Sequence, residues 1–380
     1  MEHRASRLKK LCLSVAAVCT LAGASQAQAQ QYVVTNPFAV ERFATLPTEA
    51  NFPEGIAADP QTGDIFVGTF DVQPDGSGSN FLLRFDRTGR VVAQLSTGLV
   101  PFTGLMFNPR DRKVYFASPA GLLGLPTKIS RIPANFTAST RIEDVAMVPN
   151  IPAPAGRTER TLDAQLISIT FPNSIPAPNG LALRSSDGAL FITDSLQAAV
   201  MKISDPTRAA NICPTTTACV QLVKQDPLLA SAAFPQLGVN GVVVSADESK
   251  LFLTNTGDDR LLALKLSDGS LTVVTDSLEG ADGIVLGVGN TLVVSRALGD
   301  ELAVLDASTG RILAEVGEFR GIRRDGSVRG LLFPGSIVRI GNTVFANNLA
   351  LPLSGLPSEP AGDVTTYTIA RVRLPTIEVR

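Results

Sequence analysis

A short pattern recurs six times along this chain and restricts the fold more than any other feature. Each copy begins with a polar residue and a Gly, continues through alternating apolar residues, turns, and returns through a second run rich in Phe, Leu, Ile and Val. The first three copies are Glu54-Gly55-Ile56-Ala57 with Asp64-Ile65-Phe66-Val67-Gly68, Thr103-Gly104-Leu105-Met106 with Lys113-Val114-Tyr115-Phe116, and Asn179-Gly180-Leu181-Ala182 with Ala189-Leu190-Phe191-Ile192. Asn240-Gly241-Val242-Val243 with Lys250-Leu251-Phe252-Leu253 and Asp282-Gly283-Ile284-Val285 with Asn290-Thr291-Leu292-Val293-Val294 follow. A degenerate sixth copy is Gly335-Ser336-Ile337-Val338 with Asn342-Thr343-Val344-Phe345. Two more strand-like runs usually come after each pair, as in Phe81-Leu82-Leu83-Arg84-Phe85 and Val91-Val92-Ala93-Gln94-Leu95. Six four-stranded units, spaced 42 to 76 residues apart, are the mark of a β-propeller. A sandwich of so many strands would leave long edges open. The chain is therefore expected to be all-β: a six-bladed β-propeller with four antiparallel strands per blade, a single domain over residues 30–380. Val40-Glu41-Arg42-Phe43-Ala44 is expected to close the ring by completing the blade that contains Thr366-Tyr367-Thr368-Ile369-Ala370. No convincing amphipathic helix is visible, and the Pro-rich stretch 150–178 reads as a long loop over one face.

In a propeller every innermost strand starts at the same mouth of the central channel, so the six polar-Gly steps converge on one axis. The Gly follows from crowding, because a small residue lets neighbouring backbones approach. The residues before it carry the chemistry: Glu54, Thr103, Asn179, Asn240, Asp282 and Gly335. Five of the six offer a side-chain oxygen. The second strand of each blade runs back to this mouth and brings Asp194, Asn255, Arg296 and Asn347 near it. Asn-Gly and Asp-Gly are also turn formers by backbone chemistry alone, so each step taken singly has a purely structural alternative.

The runs Phe52-Pro53-Glu54-Gly55, Pro178-Asn179-Gly180-Leu181 with Thr193-Asp194-Ser195, Val239-Asn240-Gly241 with Thr254-Asn255-Thr256, and Ala281-Asp282-Gly283 resemble the senescence-marker-protein (regucalcin)/gluconolactonase family. They also resemble its wider relatives, diisopropylfluorophosphatase and paraoxonase. The resemblance spans essentially the whole chain after the leader and implies a six-bladed, calcium-dependent hydrolase of lactones or similar esters. It implies that Glu54, Asn179, Asn240 and Asp282 hold one Ca²⁺, with Asp282 also the catalytic base or nucleophile. Two carboxylates and two amide carbonyls are hard oxygen donors that suit calcium better than zinc or copper, and two negative charges balance one divalent cation. Without a metal, Glu54 and Asp282 would repel and one pKa would rise. Thr103 stands where family members often place a polar substrate contact. Asp194 and Asn255 are expected to orient the metal ligands; Arg296 could meet an anionic substrate, but a solvated or ion-paired guanidinium is the favoured reading. Paraoxonase-like histidines are absent.

That absence excludes much else. The only His is His3, inside the leader, which removes Ser-His-Asp and Cys-His catalysis and His-ligated zinc. Ser195 accordingly lacks a base. Trp is absent, which disfavours a quinone-cofactor propeller. The formal net charge is -2, and the leader's four Lys/Arg against one Glu leave the rest at -5; no basic footprint for nucleic acid results. The expected partner is a small-molecule substrate. The alternative is a non-catalytic propeller that binds a ligand or protein at its mouth, with calcium structural or absent.

Residues 1–29 read as a cleavable signal peptide: Arg4, Arg7, Lys9 and Lys10, then apolar Leu11 to Ala22, then Ala27-Gln28-Ala29. The apolar run suits a signal peptide and is short for a membrane span. No membrane span is expected after its removal, and the protein is expected in the periplasm or secreted. Cys12 and Cys19 leave with the leader. Cys213 and Cys219 remain and are expected to form a disulfide across a stapled loop between two strands.

Overall fold

The computed structural model describes residues 32–35, 40–72, 77–160, 165–171, 175–353 and 360–379. The expected signal peptide and its cleavage site lie outside the described residues. Two units are distinguished. One contributes a small ribbon in which Tyr32–Thr35 pairs with Thr376–Val379. The other, Asn36–Thr376, is a six-bladed propeller.

Blade 1 comprises Pro53–Asp59, Asp64–Thr69, Asn80–Phe85 and Val91–Gly98, in that order from the channel outward. Blade 2 comprises Leu105–Asn108, Lys113–Ser118, Lys128–Pro133 and Glu143–Met147. Blades 3 and 4 begin at Pro178–Leu183 and Val239–Val244 and end at Gln221–Gln225 and Leu271–Thr275. Blade 5 begins at Ala281–Leu286 and ends at Ile312–Val316. Blade 6 takes Pro334–Ile340, Thr343–Asn348 and Thr368–Arg373 from the end of the chain, and its fourth strand is Val40–Thr45 from the beginning. Antiparallel pairing of Glu41 with Arg371 and of Arg42 with Ala370 places the closure where the sequence put it. Each innermost strand packs beside the next, and the ring closes between blades 6 and 1.

Burial explains the strand patterns. The innermost strand of blade 1 is buried along its whole length, whereas its outermost strand alternates between core and solvent, as an edge with one wet face should. The apolar core lies as wedges between adjacent blades. Phe66 and Leu82 of blade 1 meet Phe102, Phe116 and Ile132 of blade 2, and Phe345 and Ile369 of blade 6 meet Ile65, Leu83 and Phe85 of blade 1.

Three details differ from the sequence expectation. Stretch 150–178 is not wholly a loop, since Arg157–Arg160 and Leu166–Ile169 form a hairpin. It is fastened by Arg157, whose guanidinium donates to the carbonyls of Pro227 and Ala230 and pairs with Asp258. One seven-residue helix, Pro206–Ile212, occurs among the described residues; it is too short to show helical periodicity and is capped by Asp205. The Cys213–Cys219 disulfide is present, but its loop joins this helix to a strand rather than two strands. No helix among the described residues is long and apolar enough to cross a membrane.

Candidate functional site at the channel mouth

Five of the six polar-Gly steps are β-bulges. Pro53 pairs with Thr69 and Ile56 with Val67, so Glu54 and Gly55 together oppose Gly68. The same shift occurs at Pro178/Leu181, Val239/Val242, Ala281/Ile284 and Pro334/Ile337. A bulge re-aims the side chain at its extra residue. Glu54, Asn179, Asn240 and Asp282 at these bulges, together with Thr103 of blade 2, line one cavity of about 120 Å³. The Gly beside each is fixed by contact with the next blade. A Cβ at Gly55, Gly104, Gly180 or Gly241 would fall within 3.0 Å of the backbone oxygen of Thr103, Asn179, Asn240 or Asp282 respectively.

Hydroxyls and amides stitch the blades at this level. Gly180 N–H donates to Thr193 Oγ1, which donates to the Asn240 carbonyl. Thr254 and Ser295 repeat this toward the carbonyls of Asp282 (2.5 Å) and Gly335 (2.6 Å). Asn347 Nδ2 donates to the Glu54 carbonyl at 2.7 Å and joins blade 6 to blade 1. Asn347 thus belongs to the seam, and it is Asn348 that occupies the strand end opposite Pro334.

A second relay orients the two asparagines. Asn179 Nδ2 donates to Ser195 Oγ at 3.1 Å, and that hydroxyl donates to the Val239 carbonyl at 2.8 Å. Asn240 Nδ2 donates to Thr256 Oγ1 at 3.0 Å, which donates to the Ala281 carbonyl at 2.8 Å. Because each hydroxyl spends its hydrogen on a carbonyl, it can only accept from the asparagine. The amide nitrogens are thereby fixed, and the amide oxygens are the ends left for a cation. Sequence reasoning missed this role for Ser195 and Thr256, although both stand sixteen residues after their asparagine.

Glu54 and Asp282 complete the set. Both are about 5% exposed. Glu54 Oε2 and Asp282 Oδ1 are buried with no hydrogen-bond partner, a costly state for a polar atom that calls for an explanation. Burial pushes the Asp282 carboxyl up to about 7, against a hydrogen bond from the Asn240 side chain that pulls it down. Burial, then repulsion from Asp282, raises Glu54 well above the usual carboxylate range. A cation would relieve both effects, and the four oxygen donors fit a hard ion of the calcium type. Among the described residues no three His, Cys, Asp or Glu side chains gather as a metal site, so such an ion would depend on the two amide oxygens.

The remaining candidates are committed to other partners. Thr103 lines the cavity, but its hydroxyl donates to the Pro178 carbonyl at 2.8 Å. Asp194 accepts from Ala177 N–H, Gln197 N–H and Gln197 Nε2. Asn255 Nδ2 donates to the carbonyls of Leu228 and Ala230. Both therefore brace loops whose residues Ala177, Leu196, Pro235 and Leu237 wall the cavity, and neither bonds a candidate ligand. Arg296 is held by Glu279, Glu301 and Glu315. Its charge is already neutralised, which is the ion-paired reading and leaves it no free charge for an anionic substrate. The other walls are apolar, among them Phe70, Leu122, Phe333 and Leu351.

No protein-family model matches the chain, and no curated protein matches its sequence. Solved structures match its fold. Virginiamycin B lyase from Staphylococcus aureus aligns with a TM-score of 0.52 at 16% identity, over 89% of this chain and 100% of that one. A luciferin-regenerating enzyme aligns with a TM-score of 0.59 at 12% identity, over 90% and 98%. A protein of unknown function from Bacteroides thetaiotaomicron gives 0.56 at 11% identity, over 92% and 77%. At these identities the likeness shows the fold alone.

Proposed function

We propose that this chain is an exported, calcium-dependent hydrolase of an uncharged lactone or similar small ester. Glu54, Asn179, Asn240 and Asp282 would hold the ion. One observation carries the reading: two buried carboxylate oxygens without partners share a cavity with two asparagines whose nitrogens are engaged by Ser195 and Thr256, leaving their amide oxygens as acceptors. When bound, calcium supplies Lewis-acid polarisation of a carbonyl oxygen. The chain's own residues do the rest. Asp282 is the candidate proton acceptor for an attacking water, and Glu54 supplies the second balancing charge. Ser195 and Thr256 are spent as relays and are not nucleophiles. Apolar walls exclude water, and no Lys or Arg stands among the described lining residues, which favours a neutral substrate. Enzymes among the proteins of similar fold support catalysis on this scaffold. The leader and the Cys213–Cys219 bridge support export.

The test is a panel of lactones and aryl esters assayed with and without chelator, beside calorimetric calcium titration. Hydrolysis that chelator abolishes and calcium restores is expected. Activity indifferent to chelator would remove the metal from the mechanism. Calcium binding with a silent panel would move the reading to a non-catalytic, ligand-binding propeller.

A further inference from the structure

The strand end opposite each innermost strand has a common task in blades 3 to 6. It fastens the segment that leads into its own blade. Asp194 accepts from Ala177 N–H, Asn255 donates to Leu228 and Ala230, and Arg296 pairs with Glu279. Asn348 accepts from Leu332 N–H and donates to the Gly330 carbonyl. In blade 2 the corresponding residue is Ser118, which ends the second strand. Ser118 is 6% exposed and its hydroxyl has no hydrogen-bond partner. The segment before blade 2 is instead held from blade 1, where Asn80 Nδ2 donates to the carbonyls of Gly98 and Leu99 at 3.4 Å.

A cavity of about 490 Å³ opens where this fastening is missing. Leu95, Val100, Phe102, Phe116, Leu125 and Ile142 supply apolar walls. The charged groups on its rim, Lys128 and Asp144, neutralise each other at 2.6 Å. Other lining hydroxyls are engaged: Ser130 donates to Asp144, Thr97 donates to the Val100 carbonyl, and Thr140 accepts from Thr137 N–H. Ser118 is thus an unpartnered polar group on an apolar, charge-balanced wall, in a cavity of the size that holds small molecules.

We propose that this cavity is a second binding site, distinct from the channel mouth. Its ligand is an uncharged small molecule with an apolar body and one carbonyl or hydroxyl oxygen that pairs with Ser118. Segment 119–126 separates the two cavities: Pro119 and Leu122 face the channel mouth, while Ala120, Leu125 and Pro126 face this cavity. Occupancy here therefore bears on a wall of the candidate catalytic cavity.

The probe is the neutral naphthyl ketone dye prodan, titrated by fluorescence into the full mature protein. Saturable binding with a blue shift is expected. Ser118→Ala should weaken it at least threefold without lowering the melting temperature, because the hydroxyl has no protein partner to lose. Val100→Phe, which fills the cavity, should weaken it at least tenfold, and Leu351→Phe at the channel mouth should leave it unchanged. Absence of saturable binding, equal dissociation constants in wild type and both cavity variants, or loss of binding only in Leu351→Phe would overturn the proposal. A melting temperature that falls in Ser118→Ala would overturn it as well, since the hydroxyl would then be serving the fold.

Discussion

Asp282→Asn should change the sign of its effect on stability according to whether calcium is present. In metal-free protein, burial raises the Asp282 carboxyl from 3.8 to about 7. A carboxyl raised in the folded state contributes most below its unfolded pKa, and that contribution is lost as pH climbs through the folded value. A rise of about three units, at about 1.4 kcal/mol each, makes ionised Asp282 cost roughly 4 kcal/mol. Asparagine has no proton to lose. In chelator, wild type and Asp282→Asn should therefore be about equally stable near pH 4. Above pH 7 the variant should be the more stable, by up to roughly 4 kcal/mol. Calcium should close this gap and reverse the order once it exceeds about a thousandfold its Kd, where it stabilises the folded state by about 4.1 kcal/mol, because the variant has lost one of two balancing charges and gains less. Urea midpoints at pH 4, 6 and 8, in chelator and in calcium, give the measurement. The reasoning fails if the variant is less stable than wild type in chelator at pH 8, if their difference does not vary with pH, or if calcium leaves the wild-type midpoint unmoved.

Gly104→Ala should destabilise by about 3 kcal/mol or more, because its Cβ would press on the Asn179 carbonyl, a backbone atom with little room to move; chemical denaturation would show it. Removing the chain through Thr45 strips the fourth strand from blade 6 and exposes an edge, so gel filtration should show aggregates where the full chain runs as one species. Replacing Cys213 and Cys219 together by Ser should cost roughly 2 kcal/mol, the loop-closure value for so short a ring, read as a difference between urea midpoints.

The repeat was legible because a propeller writes one local rule six times. The polar-Gly step, the apolar alternation and the unpaired N-terminal strand each recur or complete one another in sequence, so the architecture followed from counting. The position of the polar residues on a common axis followed as well. What could not be read was how the neighbouring groups are spent. That Arg296 is ion-paired could be expected, but not that Glu279, Glu301 and Glu315 reach it from three different segments. Ser195 could be set aside as a nucleophile for want of a base, but that its hydroxyl is committed to Val239 in the next blade could not be read. Such commitments cross blades, and sequence spacing along one blade does not encode them. The hairpin at Arg157–Arg160 and Leu166–Ile169 was hidden for a related reason: it is held by Pro227 and Ala230 in the segment leading into blade 4 and by Asp258 of that blade, and not by a strong strand pattern of its own.

The sixth repeat shows how a departure from the rule can be part of it. In sequence Gly335 reads as decay, since it stands where the other five copies place an oxygen-bearing side chain. In the structure a Cβ at residue 335 would fall within 3.0 Å of Glu54 Oε2. The missing side chain in blade 6 is therefore room for the carboxylate of blade 1, and that oxygen is one of the two buried there without a partner. Glutamate is the longest of the polar side chains at the mouth, and its reach across the junction requires a neighbour that projects nothing. The degenerate copy and the carboxylate are thus one feature: Gly335 makes the space, Asn347 of the same blade fixes the Glu54 backbone, and the site depends on both.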